Sequence, residues 1–436
     1  MQHFSRFHQF LRFSACGIVI GSQLLGINPS IAPVKAEQTA NCQRTQQQPN
    51  FLAVGGGGAP SYNEIALEKN ILYFQRTLRA LGYNPKEASI FFANGNDGKA
   101  TIRYLDNQSG EKFKVPEIPN LNGASTLPNL QSWMQQTARQ TPDKPLFFYF
   151  TGHGIPNREN LNNNVLMLWE EEPLSVQQFS SMLDKLPAQK PVVTMMAQCF
   201  SGSFANMIYQ GGDPKRPVAL QTRCGFFATI KTLPSVGCTP EVNEADYRDY
   251  SSSFFAGLSG RSRTGEAVAS ADYNKDKRVS YAEAHAFAKV DEKTMDLPIS
   301  TSEAWLHNQA DKKDLQTILG QPIAKIQQTA RPEQRYVVDS LVKMFGFNGQ
   351  QSFTENLQAL SKTKVSTEVQ KAYLIRLARE LGNVGMENQI RASNDRQALA
   401  ILNRLIKCEG SSLENQSIQS HRPTPIKTMA DRPPAL

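Results

Sequence analysis

Short, continuous apolar runs alternate with segments whose apolar residues recur every three or four positions, from about residue 50 to about residue 300. A continuous run bounded by turn residues reads as a strand buried on both faces, and a three-to-four spacing as a helix with one buried face. Strands are therefore expected at 51–54 (FLAV), 88–93 (ASIFFA), 145–151 (PLFFYFT), 191–199 (PVVTMMAQC) and 224–230 (CGFFATI), with shorter ones at 100–105 (ATIRYL) and 165–169 (VLMLW). Helices are expected from Glu64 to Ala80 and from Thr126–Pro128 onward, the latter with Leu127, Leu130, Trp133, Met134 and Thr137 on one face. A third, over 175–186, opens with a capping box from Ser175 to Gln178 and gathers Val176, Phe179, Met182, Leu183 and Leu186 on one side. Strands alternating with helices imply an α/β fold with a mostly parallel central sheet and helices on both sides. In such sheets ligands bind at the carboxyl ends of the strands, near a switch in strand order.

Beyond about residue 310 the strand signals stop. Segments 332–346, 366–382 and 396–408 keep helical spacing, as in Val369, Tyr373, Leu377 and Leu381, so 310–408 is expected to be an α-helical C-terminal region. Residues 409–436, rich in Ser, Gln and Pro, read as a disordered tail. At the other end Arg6 and Arg12 precede the apolar run Phe13–Ile27, and Val34 and Ala36 supply a small-x-small pattern. That is the layout of a secretory signal over 1–36, with an apolar core too short and interrupted to span a membrane. A polar, Gln-rich leader (37–50) would follow, then one α/β domain over 51–309.

Composition adds little to this. Hydrophobic residues make up 40% of the 436 positions and charged ones 20%, as in an ordinary globular protein. The formal charge of +8 falls to +5 without residues 1–36, and the excess is dispersed, which argues against a nucleic-acid partner. With the signal removed no stable membrane anchor remains, so a secreted or periplasmic protein is expected. Five cysteines would then persist: Cys42, Cys199, Cys224, Cys238 and Cys408. An odd count in an oxidising compartment leaves one thiol over. The expected pairs are Cys224–Cys238 as a local loop and Cys42–Cys408 as a clasp between the ends, which leaves Cys199.

The candidate chemistry lies in two strand ends. YFTGHG carries His153 and MMAQCFSGSF carries Cys199, each directly beyond a buried strand and followed by small residues. If those strands are neighbours in a parallel sheet, both side chains reach one edge. A thiol needs deprotonation to attack a carbonyl, and an imidazole can take or hold that proton. The N–H groups of Gly154 and Cys199 could form an oxyanion hole. A lone Cys or His at a strand end is more often a structural residue, and only the matching contexts raise this pair above that. His285 sits in an expected helix, and His307 and His421 lie in polar surroundings. GGGGAP (55–60) reads as a mobile loop facing the same edge. Without a GxSxG, CxxC or HExxH pattern, serine-hydrolase and zinc chemistry lack their usual residue sets.

These two motifs resemble those of the legumain-like cysteine peptidases, in the clan that also holds caspases, gingipains and the catalytic subunit of the GPI transamidase. The resemblance covers about residues 50–290. It implies a caspase-like three-layer α/β sandwich, a peptide or protein substrate, and hydrolysis through a His/Cys dyad that requires no cofactor. His153 would be general base and acid, Cys199 the nucleophile and Gly154 an oxyanion donor. The C-terminal helices would be an intramolecular pro-segment over the cleft, unless they form an interaction domain. The sequence departs from the family at Ala197: legumain has an acidic residue, and caspases a glutamine, two positions before the cysteine. Here Gln198 is adjacent to Cys199 instead, so the family's residue preference does not carry over. Two alternatives stay open: a catalytically silent caspase-like binding or assembly module, and a transpeptidase using the same acyl-enzyme.

One further motif stands apart. Asp272, Asn274, Asp276, Arg278 (through its carbonyl), Ser280 and Glu283 match the ligand positions of a calcium loop over 272–283. Lys277 replaces the usual glycine at the sixth position. The alternative is a polar turn that caps the helix after Ser280.

Overall fold

The computed structural model describes residues 49–106, 108–140, 144–360 and 367–413. The expected signal, Cys42, all but the end of the leader, His421 and positions 414–436 lie outside these residues. In chain order the first part forms β1 (Asn50–Gly56), α1 (Ile65–Ala80), β2 (Ser89–Phe92), β3 (Ile102–Asp106), β4 (Gly110–Lys114), α2 (Leu127–Ala138) and β5 (Leu146–Gly152). Next come β6 (Gly154–Ile155), β7 (Val165–Met167), β8 (Pro173–Ser175), α3 (Val176–Leu183), β9 (Val192–Met196) and β10 (Arg223–Phe227). Then follow α4 (Tyr250–Ser259), α5 (Tyr281–Asp291), β11 (Ile299–Ser300) and α6 (Thr301–Gln309). The rest is helical: α7 (Lys312–Leu319), α8 (Ile323–Gln327), α9 (Pro332–Phe345), α10 (Phe353–Leu360), α11 (Glu368–Ala392) and α12 (Arg396–Glu409).

Six strands make the central sheet in the order β11-β10-β9-β5-β1-β2. Every neighbouring pair is parallel except β10 and β11. The chain starts at β1, steps out to β2, then returns across β1 to place β5 and the later strands on the other side. The strand order therefore switches between β1 and β5.

The continuous apolar runs are explained by burial on two faces. In β1 and β5, Phe51, Ala53, Phe147 and Tyr149 join one core with α1, α4 and α5. Leu52, Val54, Phe148 and Phe150 join the opposite core with α2 and α3. All seven residues of β5 are buried. Truncating one such Phe to Ala would cost about 3–5 kcal/mol, so this strand is a rigid base for whatever follows it. The fold is thus mixed α/β, with a mostly parallel sheet between two helical layers and a helical C-terminal region.

Where structure and pattern differ, the reasons are local. β4 pairs with β3 as a hairpin but is exposed almost throughout, so it carries no apolar alternation. α11 runs ten residues past 382, because its buried face there includes Asn383 and Glu387 and so does not look apolar. Residues 409–413, assigned to the tail, are packed: Glu409 and Leu413 are buried, and Ser412 bridges Ser280. The C-terminal helices share a core with the sheet layers, in which Ile208, Tyr209, Ala286 and Trp305 meet Val337, Leu377, Leu381 and Leu402.

The cysteine pairing is corrected. Cys224 is bonded to Cys408, which overturns both expected pairs, Cys224–Cys238 and Cys42–Cys408, and Cys238 is a free thiol. Cys224 lies at the amino end of β10, whereas the chain after β10 climbs past the carboxyl edge before reaching Cys238. Fourteen residues of sequence separate the two cysteines, but they sit at opposite ends of the sheet. Cys408 on α12 meets Cys224, so the bridge ties the last helix to the sheet.

Candidate active site

β5 and β9 are hydrogen-bonded neighbours, with Phe150 paired to Met196 at the carboxyl end. His153 stands three residues beyond Phe150 and Cys199 three beyond Met196, so the register delivers both to one edge. This edge adjoins the switch between β1 and β5. The loops are tied together at once, because Ala197 N–H donates to the Phe150 carbonyl (2.9 Å). Gly154 is required for close approach: a Cβ there would lie 2.1 Å from the Cys199 carbonyl oxygen. Any side chain at 154 would push the Cys199 loop away. Phe200, directly after Cys199, adopts a left-handed φ of 58°, and the 3-10 run Ser201–Ile208 begins from that turn. Gly202 N–H and Ser201 anchor this run to Thr229, just past β10.

The His153 ring is gripped from the β1 side. Its Nε2 lies 2.9 Å from the Tyr62 carbonyl and 3.0 Å from Glu64 Oε2, and the Tyr62 ring meets it edge-on at 5.5 Å. Glu64 is buried, and its other oxygen accepts from Arg103 (2.8 Å). GGGGAP does face this edge, but packing governs it: residues 55–58 are buried, and a Cβ at Gly57 would lie 1.9 Å from the Tyr62 oxygen. The glycines let the Tyr62 loop close down against β1, which is a correction to the reading of a mobile loop.

Cys238 also stands beside the ring. One atom each from Glu64, His153 and Cys238 lie within 4.8 Å of one another. Burial opposes charge on the imidazole, but Cys238 and Glu64 outweigh it and lift His153 from 6.5 to about 11. The ring is therefore an imidazolium at neutral pH.

Cys199 does not hydrogen-bond to that ring. Its Sγ accepts from Ser235 N–H (3.2 Å) and lies 3.4 Å from the Ser235 carbonyl. Burial raises its pKa, the Ser235 N–H lowers it, Cys238 and Asp296 raise it and His153 lowers it, with a net rise. The Ser235 loop is itself braced, because the Asp296 carboxylate accepts from the Ser235 hydroxyl and from Val236 N–H (3.1 Å). Asp296 is fully buried, and desolvation pushes it up to about 6 against these bonds and the nearby Arg376. Behind Asp296, the Arg376 guanidinium of α11 donates to the carbonyls of Lys289, Glu292, Thr294 and Asp296. A chain of contacts thus runs from the C-terminal helices to the loop that holds Cys199.

Sequence reasoning placed His153, Gly154 and Cys199 but missed Tyr62, Glu64, Ser235, Cys238 and Asp296. Glu64 had a weak signal, as an acidic residue at the start of a helix after a glycine-rich loop. Cys238 was hidden by its assignment to a disulfide. His285 is structurally satisfied between the Tyr250 hydroxyl and Glu303, and burial drops its pKa to about 4.

The loop at 272–283 lies apart from this edge. Asp272, Asn274 and Asp276 accept backbone N–H groups from within the loop, at Asp276, Lys277 and Arg278. Glu283 uses one oxygen on Tyr273 and Asn274 N–H and the other on Ser280, in a capping box for α5. Lys277 takes the left-handed φ (70°) of the glycine it replaces. Among the described residues, the carboxylates of Asp272, Asp276 and Glu283 do not converge within 4.8 Å of one another.

No family model and no curated protein matches this chain. Among solved structures, a structural-genomics target protein from Geobacter sulfurreducens is similar at 12% identity and a TM-score of 0.35, over 58% of this chain and 92% of that one. Caspase-1 from Spodoptera frugiperda is similar at 11% identity and a TM-score of 0.32, over 58% of this chain and 87% of that one. The fold is read from this chain's own strand order and layers, with these two as distant structural neighbours.

Proposed function

We propose that this chain is a cysteine endopeptidase of the caspase and legumain kind, acting through His153 and Cys199. The observation that carries the reading is the shared register of β5 and β9, which sets an imidazole and a thiol at equal distances beyond neighbouring parallel strands. Both residues are partly exposed.

In this reading the Cys199 thiol loses its proton to solvent as substrate binds, and the His153 imidazolium stabilises the thiolate. Sulfur attacks the carbonyl carbon while backbone N–H groups at Gly154 and Cys199 receive the developing oxyanion. Collapse breaks the C–N bond, and His153 gives its proton to the leaving amine. The neutral imidazole then takes a proton from water as water cleaves the thioester. An amine in place of that water gives transpeptidation by the same route. The signal-like sequence at 1–36 and the Cys224–Cys408 bridge both suit a secreted or periplasmic setting.

One observation favours a catalytically silent binding or assembly module: the Cys199 sulfur is bonded to Ser235 and not to the imidazole. An electrophilic thiol-directed peptide probe separates the two. The peptidase reading expects labelling that disappears in Cys199→Ala and falls at least 100-fold in His153→Ala. Labelling that persists in Cys199→Ala, or its absence from the intact protein, returns the silent module.

A further inference from the structure

We propose that Glu64, His153 and Cys238 form a zinc site that shuts the dyad. Three donor types, a carboxylate oxygen, an imidazole nitrogen and a cysteine sulfur, already lie within 4.8 Å of one another. Tetrahedral zinc holds such atoms at about 2.0–2.3 Å, which places them roughly 3.3–3.8 Å apart, so a small inward movement closes the site. A carboxylate, a thiolate and a neutral imidazole carry two negative charges, which balance Zn²⁺ in this half-buried place. The mix of N, O and S donors suits zinc better than calcium or magnesium.

Each ligand is held by its surroundings. Arg103 bonds Glu64 Oε1 at 2.8 Å and leaves Oε2 directed at the ring. Cys238 is pinned on both sides: Val236 N–H is bonded to Asp296, and the Thr239 carbonyl accepts from Ala66 N–H. Gly237 between them has a φ of +127°, a turn that favours glycine and aims the next residue back at the ring. Such outer contacts raise metal affinity by fixing ligands before the ion arrives. Cys238 is accessible to solvent, so an ion has a path in.

Zinc there displaces the imidazole proton and occupies the lone pair that would carry it. His153 can then neither protonate a leaving amine nor take a proton from water. Cys199 is outside the ligand set. The inhibitory consequence rests on the peptidase reading above, whereas the binding itself does not.

The test uses the full chain, zinc titration against a chromogenic chelator, and cobalt as a spectroscopic substitute. One cobalt per chain is expected, with tetrahedral visible bands and a sulfur-to-cobalt charge-transfer band. Cys238→Ser and His153→Ala should each weaken binding by about 100-fold or more, and Glu64→Gln by at least about tenfold. Cys199→Ala should keep the full spectrum. No cobalt uptake, a charge-transfer band that survives Cys238→Ser, or its loss in Cys199→Ala would each overturn the site. Peptide turnover is followed in parallel: one equivalent of zinc should stop it and chelator restore it. Turnover that persists with zinc bound overturns the inhibitory role, while a chain that binds cobalt but never cleaves peptides sinks only the peptidase reading.

Discussion

At the carboxyl ends of β5 and β9, His153 and Cys199 sit on short loops that touch water, whereas the C-terminal helices meet the sheet layers through an apolar core threaded with charges withdrawn from water. The first region depends on close backbone approach, with Gly154 under the Cys199 carbonyl and Gly57 under that of Tyr62. The second depends on buried ions. Lys289 of α5 pairs with Glu303 of α6 and with Glu380 of α11 (2.6 Å), and Asn383 also reaches Glu303. Glu409 accepts from Thr301 and Ser302 at the start of α6, and Cys408 beside it is bridged to Cys224. A buried pair gains little over apolar residues, yet removing one partner costs about 3–5 kcal/mol because the other charge is stranded. The active edge therefore rests on backbone packing at glycines, while the flank behind it is specified by buried charges. The two meet at Arg376 and Asp296, so the helices brace the loop that holds Cys199.

The largest expected effect comes from separating the two regions. A chain ending after Gln309 loses Arg376, Glu380, Cys408 and Glu409, which takes from Lys289 one of its two carboxylates, unpairs Cys224 and strands the carbonyls of the 289–296 loop. It should lose its cooperative thermal transition and its labelling by a thiol probe. A truncated chain that stays folded and labels faster than the intact one would assign the helices as a pro-segment, a removable cover.

A smaller effect tests how the active edge holds its charge. His153 is raised to about 11, so the stability it contributes is complete below 6.5 and lost as pH rises through about 11. Glu64 is raised by burial but lowered further by His153 and Arg103, so its contribution is present above 4.5 and lost as pH falls through its folded value. The pair is thus intact across neutral pH. Glu64→Gln should lower the His153 pKa by at least about one unit, or about 1.4 kcal/mol, read by NMR titration of the imidazole. An unchanged titration would show that Cys238 alone holds the proton.

The same contrast explains what could be read in advance. The meeting of His153 and Cys199 at one edge was legible because each half is a local pattern: an apolar strand, one His or Cys, then small residues. The sheet was legible because burial on two faces leaves continuous runs such as LFFYFT. The brace was not, because Arg376, Lys289, Glu303, Glu380 and Glu409 read singly as surface charges, and only the fold shows them buried. Cys238 failed in the opposite sense. Its nearness in sequence to Cys224 suggested a bond, while the direction of β10 carried the two apart.

The smallest effect concerns the loop at 272–283, which the Ser280–Ser412 bridge and the Tyr273–Tyr336 stack tie to the C-terminal helices. Glu283 is buried and accepts four hydrogen bonds, from Tyr273, Asn274 and twice from Ser280. Burial raises its pKa although those bonds lower it, so the charged form is held at some cost and part of its stabilisation is cancelled as pH rises through the folded value. Glu283→Gln keeps one acceptor oxygen and turns an amide toward N–H donors. The expected loss is about 1 kcal/mol, the scale of a helix cap, from denaturant melts. As a capping turn the loop should lose the same amount with and without millimolar calcium, since both carboxylate oxygens are already engaged. As a calcium loop it should be stabilised by the ion in the intact protein and not in Glu283→Gln, and that difference assigns the motif.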